Sequence, residues 1–324
     1  MLHEFSFDKE HILETLKISA LVVVIFVSGH LSAREGTKLI ETVGISNTIK
    51  RGMPAIATTT PKISAATSSP AHFFRKINLP QGVPVVEGAA AIAAGIETGA
   101  VLFEKNKDDM YPTASLAKLM TAVIAQETLA SSTIITSGSE AISTYGNSGG
   151  IVGRESFRED DLLYGLLLPS SNDAARMIEL SQKNFVPAMN KKASELGMTH
   201  THYADSSGLT PDTTSSVSDL VKLLQYIYAN HPDIMAVSRT REHVAVSGGR
   251  KLRHIWDNVN WPAGDSKFLA GKAGFTDEAM STMAGIWLIN PLKSGARPIA
   301  IVVLGTHQRV SDVRSIVRLS LIHI

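Results

Sequence analysis

An apolar run near the amino terminus is the first feature of the hydropathy pattern. It covers residues 18–33 and is bounded by Lys17 and Arg34. A membrane-spanning helix needs about 20 apolar residues and the apolar region of a signal peptide about 7–15, so the run lies between the two. A buried core helix would instead show polar residues at regular intervals. Residues 1–33 are therefore predicted to be a signal anchor or a signal peptide that brings the chain to the membrane.

Periodicity disappears in the segment that follows, residues 34–81. This segment is rich in Thr, Ser, Ala and Pro, as in residues 57–61 and 65–70. A stretch of this composition cannot bury a core. We predict a linker over residues 34–81, with a small folded subdomain as the alternative.

Organised patterning begins near residue 89. Two short apolar segments, residues 89–96 and 100–103, flank Glu97-Thr98-Gly99 and predict a β-hairpin. Apolar residues at helical spacing follow over residues 115–128. Further helices are predicted over residues 159–168, 173–182, 185–195 and 217–228, and further strands over residues 283–289 and 298–305.

This order of elements predicts one α/β domain over residues 82–324. Its predicted strands lie at the two ends and its predicted helices between them. Strands that flank a helical middle form one sheet only if both ends of the chain contribute to it. We expect an antiparallel sheet built from both ends of the domain, with an inserted helical subdomain.

Composition and charge exclude several classes of protein. The chain is 44% hydrophobic and 19% charged, which is typical of a globular protein. Its 31 Lys and Arg against 30 Asp and Glu give a net charge of +1, so nucleic acid is not an expected partner. Because the chain has no cysteine, thiol catalysis, disulfides and thiolate metal sites are excluded.

Candidate chemistry begins at Ser115-Leu116-Ala117-Lys118. A serine at a helix start and a lysine three residues later share one helix face, so the amine can reach the hydroxyl. A partly neutral lysine could then accept the serine proton. The spacing alone is weak evidence, because Ser6-Phe7-Asp8-Lys9 has it too.

Two further motifs strengthen the case for a serine hydrolase. Ser170-Ser171-Asn172 follows an apolar helix at Pro169, where a loop can direct Ser170 and Asn172 into a cleft. Lys272-Ala273-Gly274 can supply a second cation at a strand edge. The alternative for each is a solvated surface residue.

With these three motifs, the sequence resembles the penicillin-binding serine D-alanyl-D-alanine carboxypeptidases, whose active site is built from Ser-x-x-Lys, Ser-x-Asn and Lys-Thr-Gly. The likeness extends beyond the motifs and keeps the family's order. It covers roughly residues 89–314 and includes residues 97–103, 112–121, 166–175, 189–190, 195–198 and 207–209. A β-lactamase sharing the fold is less favoured, because no glutamate motif for rapid deacylation stands out.

The resemblance implies an acyl-transfer mechanism without a metal or organic cofactor. Ser115 would be the nucleophile, Lys118 its base, Ser170 a proton relay and Asn172 an orienting group for the substrate amide. Lys272, Gly274, Phe275 and Thr276 would bind substrate, and the backbone N–H groups of Ser115 and Phe275 would form the oxyanion hole. The implied partners are peptidoglycan stem peptides ending in D-Ala-D-Ala, and β-lactams, which acylate the same serine.

One position departs from the family pattern. Ala273 replaces the hydroxyl residue that helps to bind the substrate carboxylate, and Thr276 could partly replace that hydroxyl. Lys293-Ser294-Gly295 would restore the pattern, but it lies in the expected turn between the last two strands. We expect Lys272 to be the site lysine, with weakened turnover if nothing replaces the hydroxyl.

Two other interpretations and one conflict remain open. His200, His202 and Asp205 could be ligands of a zinc carboxypeptidase. A binding protein that has lost catalysis would also explain Ala273. The Lys and Arg residues around the apolar run favour a cytoplasmic carboxyl-terminal side, whereas a peptidoglycan substrate requires the domain to lie outside the cytoplasmic membrane. We give more weight to the substrate than to the flanking charges. The domain is therefore expected on the extracytoplasmic face of the membrane, either anchored or secreted.

Overall fold

One antiparallel sheet joins the two ends of the described chain. The computed structural model describes residues 85–146, 148–289 and 295–323. The sheet strands are β1 (Ala90–Gly95) and β2 (Val101–Lys105) from the beginning of this range, and β9 (Phe268–Thr276), β10 (Met280–Ile289) and β11 (Arg297–Thr306) from its end. Their order across the sheet is β2-β1-β11-β10-β9. The expected fold class is thereby confirmed.

The inserted subdomain consists of helices and three short ribbons. In chain order the helices are α1 (Ala117–Thr128), α2 (Ser139–Ile142), α3 (Glu159–Leu167), α4 (Asn172–Leu180), α5 (Phe185–Glu195), α6 (Val217–Asn230) and α7 (Pro232–Arg239), with α8 (Arg309–His323) after the last strand. The ribbons pair β3 (Tyr111–Pro112) with β6 (Thr214–Ser215), β4 (Ile134–Thr136) with β5 (Ser156–Arg158), and β7 (Glu242–Val246) with β8 (Arg253–Asp257). Helix α1 is buried around its whole circumference from Ala117 to Ala125, as expected for an apolar helix surrounded by others.

Both faces of the sheet are buried, and the alternation along each strand assigns residues to two cores. On β1, Ile92 packs with the helical subdomain, whereas Ala93 packs on the opposite face. On β11, Val302 packs with the helical subdomain and Ile301 packs on the opposite face. The second core includes fully buried residues of α8, such as Val313. Helix α8 therefore covers the face of the sheet that the subdomain leaves open.

Most of the elements predicted from periodicity are present. The first hairpin, five helices of the subdomain and the last two strands lie where they were expected, within a few residues at each end. The β7–β8 ribbon, α7 and α8 were not predicted. Gly271 and the polar side chain of Lys272 interrupt the apolar pattern of β9, which explains why only a strand edge was expected there.

Several expectations lie outside the described residues. These are the signal anchor or signal peptide over residues 1–33, the linker over residues 34–81, and Lys293-Ser294 of the alternative third motif. Within the described part of the chain, no helix is both long and apolar enough to cross a membrane.

Candidate active site

Ser115 lies in a single 3₁₀ turn that leads into α1. This turn spans Ala114–Leu116, and its central serine is only partly buried. Ala114 has a φ of 49°, a left-handed conformation that strains a residue with a side chain. Gly208 packs on this turn so closely that a Cβ there would lie 1.7 Å from the Ala114 carbonyl oxygen. The turn that carries Ser115 is therefore held in an unusual conformation by its surroundings.

Lys118 lies one helical turn after Ser115 and is fully buried. Its Nζ donates to Ser115 Oγ at 2.9 Å, to Asn172 Oδ1 at 2.7 Å and to the Ser207 carbonyl oxygen at 2.9 Å. Burial lowers the pKa of Lys118 to about 7, and the negative charge of Asp205 opposes this shift. Near neutral pH, a substantial fraction of this lysine is therefore an uncharged amine in contact with the serine hydroxyl.

Asp205 organises the loop that supplies the Ser207 carbonyl. Its Oδ1 accepts from the backbone N–H groups of Ser207 and Gly208 at 2.6 Å each, and its Oδ2 accepts from that of Thr210 at 2.9 Å. Burial alone would raise the pKa of Asp205, but the hydrogen bonds from Thr210 and Ser207 make the net shift downward. The carboxylate is thus a fixed negative charge near Lys118.

The second motif forms the turn between α3 and α4. Ser170 has a φ of 64°, and Asn172 is the first residue of α4. Between them, Ser171 caps the helix by accepting from the Ala174 N–H at 3.1 Å. Asn172 Nδ2 donates to the Tyr145 carbonyl oxygen at 2.7 Å, which leaves Oδ1 facing Lys118. The Ser170 hydroxyl makes no hydrogen bond to the described residues.

The third motif lies on β9, the edge strand next to Ser115. Lys272 is fully buried and donates to the Ala273 carbonyl oxygen at 2.7 Å. Burial lowers the pKa of Lys272 well below its usual range, and the positive charges of Lys118 and Arg309 lower it further. A Cβ on Gly274 would lie 2.8 Å from the Ser115 nitrogen, so only a glycine lets the strand approach Ser115 this closely.

The edge of β9 that does not pair with β10 directs backbone N–H groups away from the sheet. The N–H of Ala273 points away from β10 and donates to Asn260 Oδ1. Because N–H direction alternates along a strand, the N–H of Phe275 also points away from β10. The Phe275 side chain is 64% exposed. The N–H of Phe275 is thus directed to the unpaired side of β9, and Phe275 directly follows Gly274, which lies against Ser115.

The side chains of Ala273 and Thr276 lie in different surroundings, and both bear on the hydroxyl that the third motif lacks. Ala273 is buried and packs in the second core, on the opposite strand face from Lys272. Thr276 Oγ1 accepts from the Ala279 N–H at 3.1 Å, in the turn that follows β9. The Thr276 hydroxyl is therefore part of this turn but retains its own proton for donation.

Arg309, at the start of α8, lies at the site but is not predicted by the sequence. Its Nη1 donates to the Gly274 carbonyl oxygen at 3.1 Å, while its Nε is buried with no partner among the described residues. No sequence motif links this arginine to β9, because the two are brought together only by the packing of α8 on the sheet. The sequence pattern therefore gives no indication of this contact.

The structure does not bring His200, His202 and Asp205 together as the ligand set that the zinc hypothesis requires. His202 lies in a β-bridge to Thr214, His200 Nδ1 contacts Thr199 Oγ1, and the Asp205 carboxylate is occupied by backbone N–H groups. Among the residues that the structure describes, no group of three or more His, Asp or Glu side chains is arranged to hold a metal ion.

Comparisons with known proteins agree with this geometry. The family model described as D-alanyl-D-alanine carboxypeptidase matches residues 79–308. The D-alanyl-D-alanine endopeptidase of Pseudomonas aeruginosa is 30% identical over 258 residues, which cover 75% of this chain and 78% of that protein. The D-alanyl-D-alanine carboxypeptidase of Bacillus subtilis is 27% identical, over 74% of this chain and 63% of that protein.

A solved structure shows the same fold. The D-alanyl-D-alanine carboxypeptidase of Mycobacterium tuberculosis superposes with a TM-score of 0.67 at 24% identity, covering 74% of this chain and 92% of that one. The family relationship itself rests on the extent of the family match and on the sequence identity to the Pseudomonas protein. The chain belongs to the D-alanyl-D-alanine carboxypeptidase family of serine hydrolases.

Proposed function

We propose that the chain hydrolyses the peptide bond between the two terminal D-alanines of peptidoglycan stem peptides, through an acyl-enzyme on Ser115. The observation that carries this proposal is the buried Lys118 amine, which lies 2.9 Å from Ser115 Oγ. Its pKa of about 7 makes it a base at neutral pH. A surface lysine at the same spacing would be fully protonated and could not accept the proton.

Acylation follows from these positions. Lys118 accepts the Ser115 proton as Oγ attacks the carbonyl carbon, and the N–H groups of Ser115 and Phe275 stabilise the oxyanion. The C–N bond then breaks, and Ser170 relays a proton to the leaving D-alanine amine. Asn172 orients the substrate amide. Water attacks the ester in the second half-reaction, which releases the shortened peptide and restores Ser115.

The substrate carboxylate is bound from the β9 side of the cleft. Lys272 and Arg309 are close enough for the charge of Arg309 to lower the pKa of Lys272, so this side is electropositive. Gly274, Phe275 and Thr276 continue the strand along the substrate. We assign to Arg309, and to Lys272 once it is protonated, the attraction of the carboxylate that Ala273 can no longer assist by a hydroxyl hydrogen bond.

A β-lactam places a strained amide where the terminal peptide bond would lie. The same serine is therefore acylated by penicillins, and the family relationship supports this inhibition. Curated relatives include both carboxypeptidases and endopeptidases. Cleavage of peptide cross-links is accordingly the second activity to measure.

The substrate determines the cellular location that we propose. Domain 82–324 acts on the extracytoplasmic face of the cell membrane, residues 1–33 anchor or export it, and residues 34–81 form the linker. Protease added to intact spheroplasts should digest the domain. Protection that persists until the cells are lysed would contradict this topology.

The test of the activity uses the full chain and two synthetic substrates. One is a peptide ending in D-Ala-D-Ala and the other is a cross-linked peptide dimer. We expect release of D-alanine from the first, blocked by prior treatment with penicillin. Penicillin binding without release from either substrate would instead indicate the binding protein without catalysis.

A further inference from the structure

Trp256 of β8 contacts the loop that precedes the second motif. It lies on the inner face of the β7–β8 ribbon and is only 2% exposed. Its Nε1 donates to the Gly149 carbonyl oxygen at 2.8 Å, across 107 positions of sequence. The indole thus holds the loop around Gly149 by a buried hydrogen bond, which is costly to leave unmade.

The same indole packs on the helix that leads into the motif. A Cβ on Gly165 of α3 would lie 3.0 Å from the Trp256 ring. The Gly165 carbonyl oxygen accepts from the Ser171 N–H at 3.2 Å. Trp256 therefore contacts both backbone segments on which Asn172 depends.

The loop in turn fixes the Asn172 amide. A Cβ on Gly149 would lie 2.6 Å from Ser171 Oγ, so the loop packs directly on the motif. The Tyr145 carbonyl oxygen accepts from Asn172 Nδ2 at 2.7 Å, and Lys118 donates to Oδ1 at 2.7 Å. An amide turned by half a rotation would present its NH₂ group to the Lys118 amine and lose both hydrogen bonds.

The far end of the loop is held by the same strand. His254, two residues before Trp256 on the same face of β8, contacts Glu155 Oε1 through Nε2 at 2.7 Å. Glu155 Oε2 accepts from the Val152 N–H at 2.8 Å. The loop is therefore fixed at two points by β8, and Trp256 is the point nearer to Asn172.

We propose that Trp256 is a positioning residue for acylation: it clamps the loop at Gly149 against the turn before α4, and so keeps the Asn172 carbonyl oxygen on Lys118. This inference rests on the proposed function, because acylation of Ser115 is the step that Asn172 serves. It predicts that loss of the indole N–H slows the chemical step and leaves substrate affinity nearly unchanged.

The experiment compares Trp256→Phe with Trp287→Phe in the full chain. Trp287 is also buried, at 5% exposure, but it belongs to the second core on the other face of the sheet. For Trp256→Phe we expect about a tenfold fall in kcat and in the rate of Ser115 acylation by a fluorescent penicillin, with KM within about twofold. Trp287→Phe should change both rates less than about twofold at a comparable loss of melting temperature.

A double-mutant cycle with Asn172→Ala separates positioning from general destabilisation. In the Asn172→Ala background, Trp256→Phe should cause little further loss of rate. A full tenfold loss of rate in the Asn172→Ala background overturns the proposal. A wild-type rate of acylation in the single variant Trp256→Phe overturns it as well. Absence of acylation in the wild-type chain overturns the proposed function itself, and this inference with it.

A second variant covers the case in which Trp256→Phe does not fold. Gly149→Ala disturbs the packing of the loop on the turn before α4, because the added Cβ would overlap Ser171 Oγ. It should lower kcat with KM nearly constant, as Trp256→Phe does. Wild-type kcat in a folded Gly149→Ala protein would contradict the clamp.

Discussion

Two parts of the site position their functional groups by different means. Ser115 and Lys118 form the part that we call the first wall, and Asn172 with its supporting contacts forms the second wall. Ser115 and Lys118 lie three residues apart in one helical segment, and their contact follows from helix geometry. Asn172 instead depends on contacts with distant parts of the chain: its amide donates to the Tyr145 carbonyl oxygen, and Trp256 donates to Gly149 in the same loop. The first wall is a local structure, and the second is a tertiary one. A substitution far from the site should therefore displace Asn172 more readily than Ser115.

The electrostatics of the two lysines differ as well. Lys118 is buried near the fixed negative charge of Asp205, which limits the fall of its pKa to about 7. Lys272 has positive neighbours instead, and these add to the effect of burial in lowering its pKa. The first lysine is thus suited to accept a proton, and the second gains its charge most readily when a substrate carboxylate enters.

Removing the amine of Lys118 should have the largest effect on the first wall. Lys118→Met keeps the approximate length of the buried side chain but has no proton acceptor. We expect a fall of roughly 10²–10⁴-fold in the rate of acylation by penicillin, measured by stopped-flow or by mass spectrometry. Lys9→Met, in the other Ser-x-x-Lys sequence, is the matched control and should leave the rate unchanged.

Asn172→Ala tests the second wall. It removes one acceptor from the Lys118 amine and one donor from the Tyr145 carbonyl. We expect kcat to fall by roughly ten- to a hundredfold, in line with one or two hydrogen bonds to a charged group. A rate equal to that of Lys118→Met would mean that the two walls are not separable.

The pH dependence of acylation tests the base directly. The uncharged form of Lys118 is the reactive one, so the rate should rise with pH through the pKa of about 7. Between about pH 6 and pH 8 the increase should be about tenfold for one titrating group. A rate that does not change over this range would contradict the role of Lys118 as base.

Ala273→Thr should have the smallest effect. Because Ala273 is buried in the second core, a larger side chain costs packing that offsets part of the gained hydrogen bond. We expect kcat/KM to rise about two- to tenfold on a peptide with a free terminal carboxylate and to change little on the amidated peptide. Ala273→Val has a similar shape without the hydroxyl. An equal gain with valine would assign the effect to strand geometry.

The difference between the two walls also decides which features were predictable from the sequence. The hairpin, the nucleophile helix and the Ser115–Lys118 contact depend on local periodicity and spacing, and the structure contains them. Tyr145 and Arg309 act through a carbonyl and a guanidinium brought in from distant segments. Such contacts leave no periodic pattern in the sequence, so the sequence does not predict them.

The central claim is that Ser115 is the nucleophile that Lys118 activates. Intact-mass spectrometry of the full chain after incubation with benzylpenicillin tests it most directly. We predict that the wild-type chain gains the mass of one penicillin, that peptide mapping places it on Ser115, and that Ser115→Ala gains none. Stoichiometric labelling of Ser115→Ala, or label on another residue of the wild-type chain, would contradict this claim.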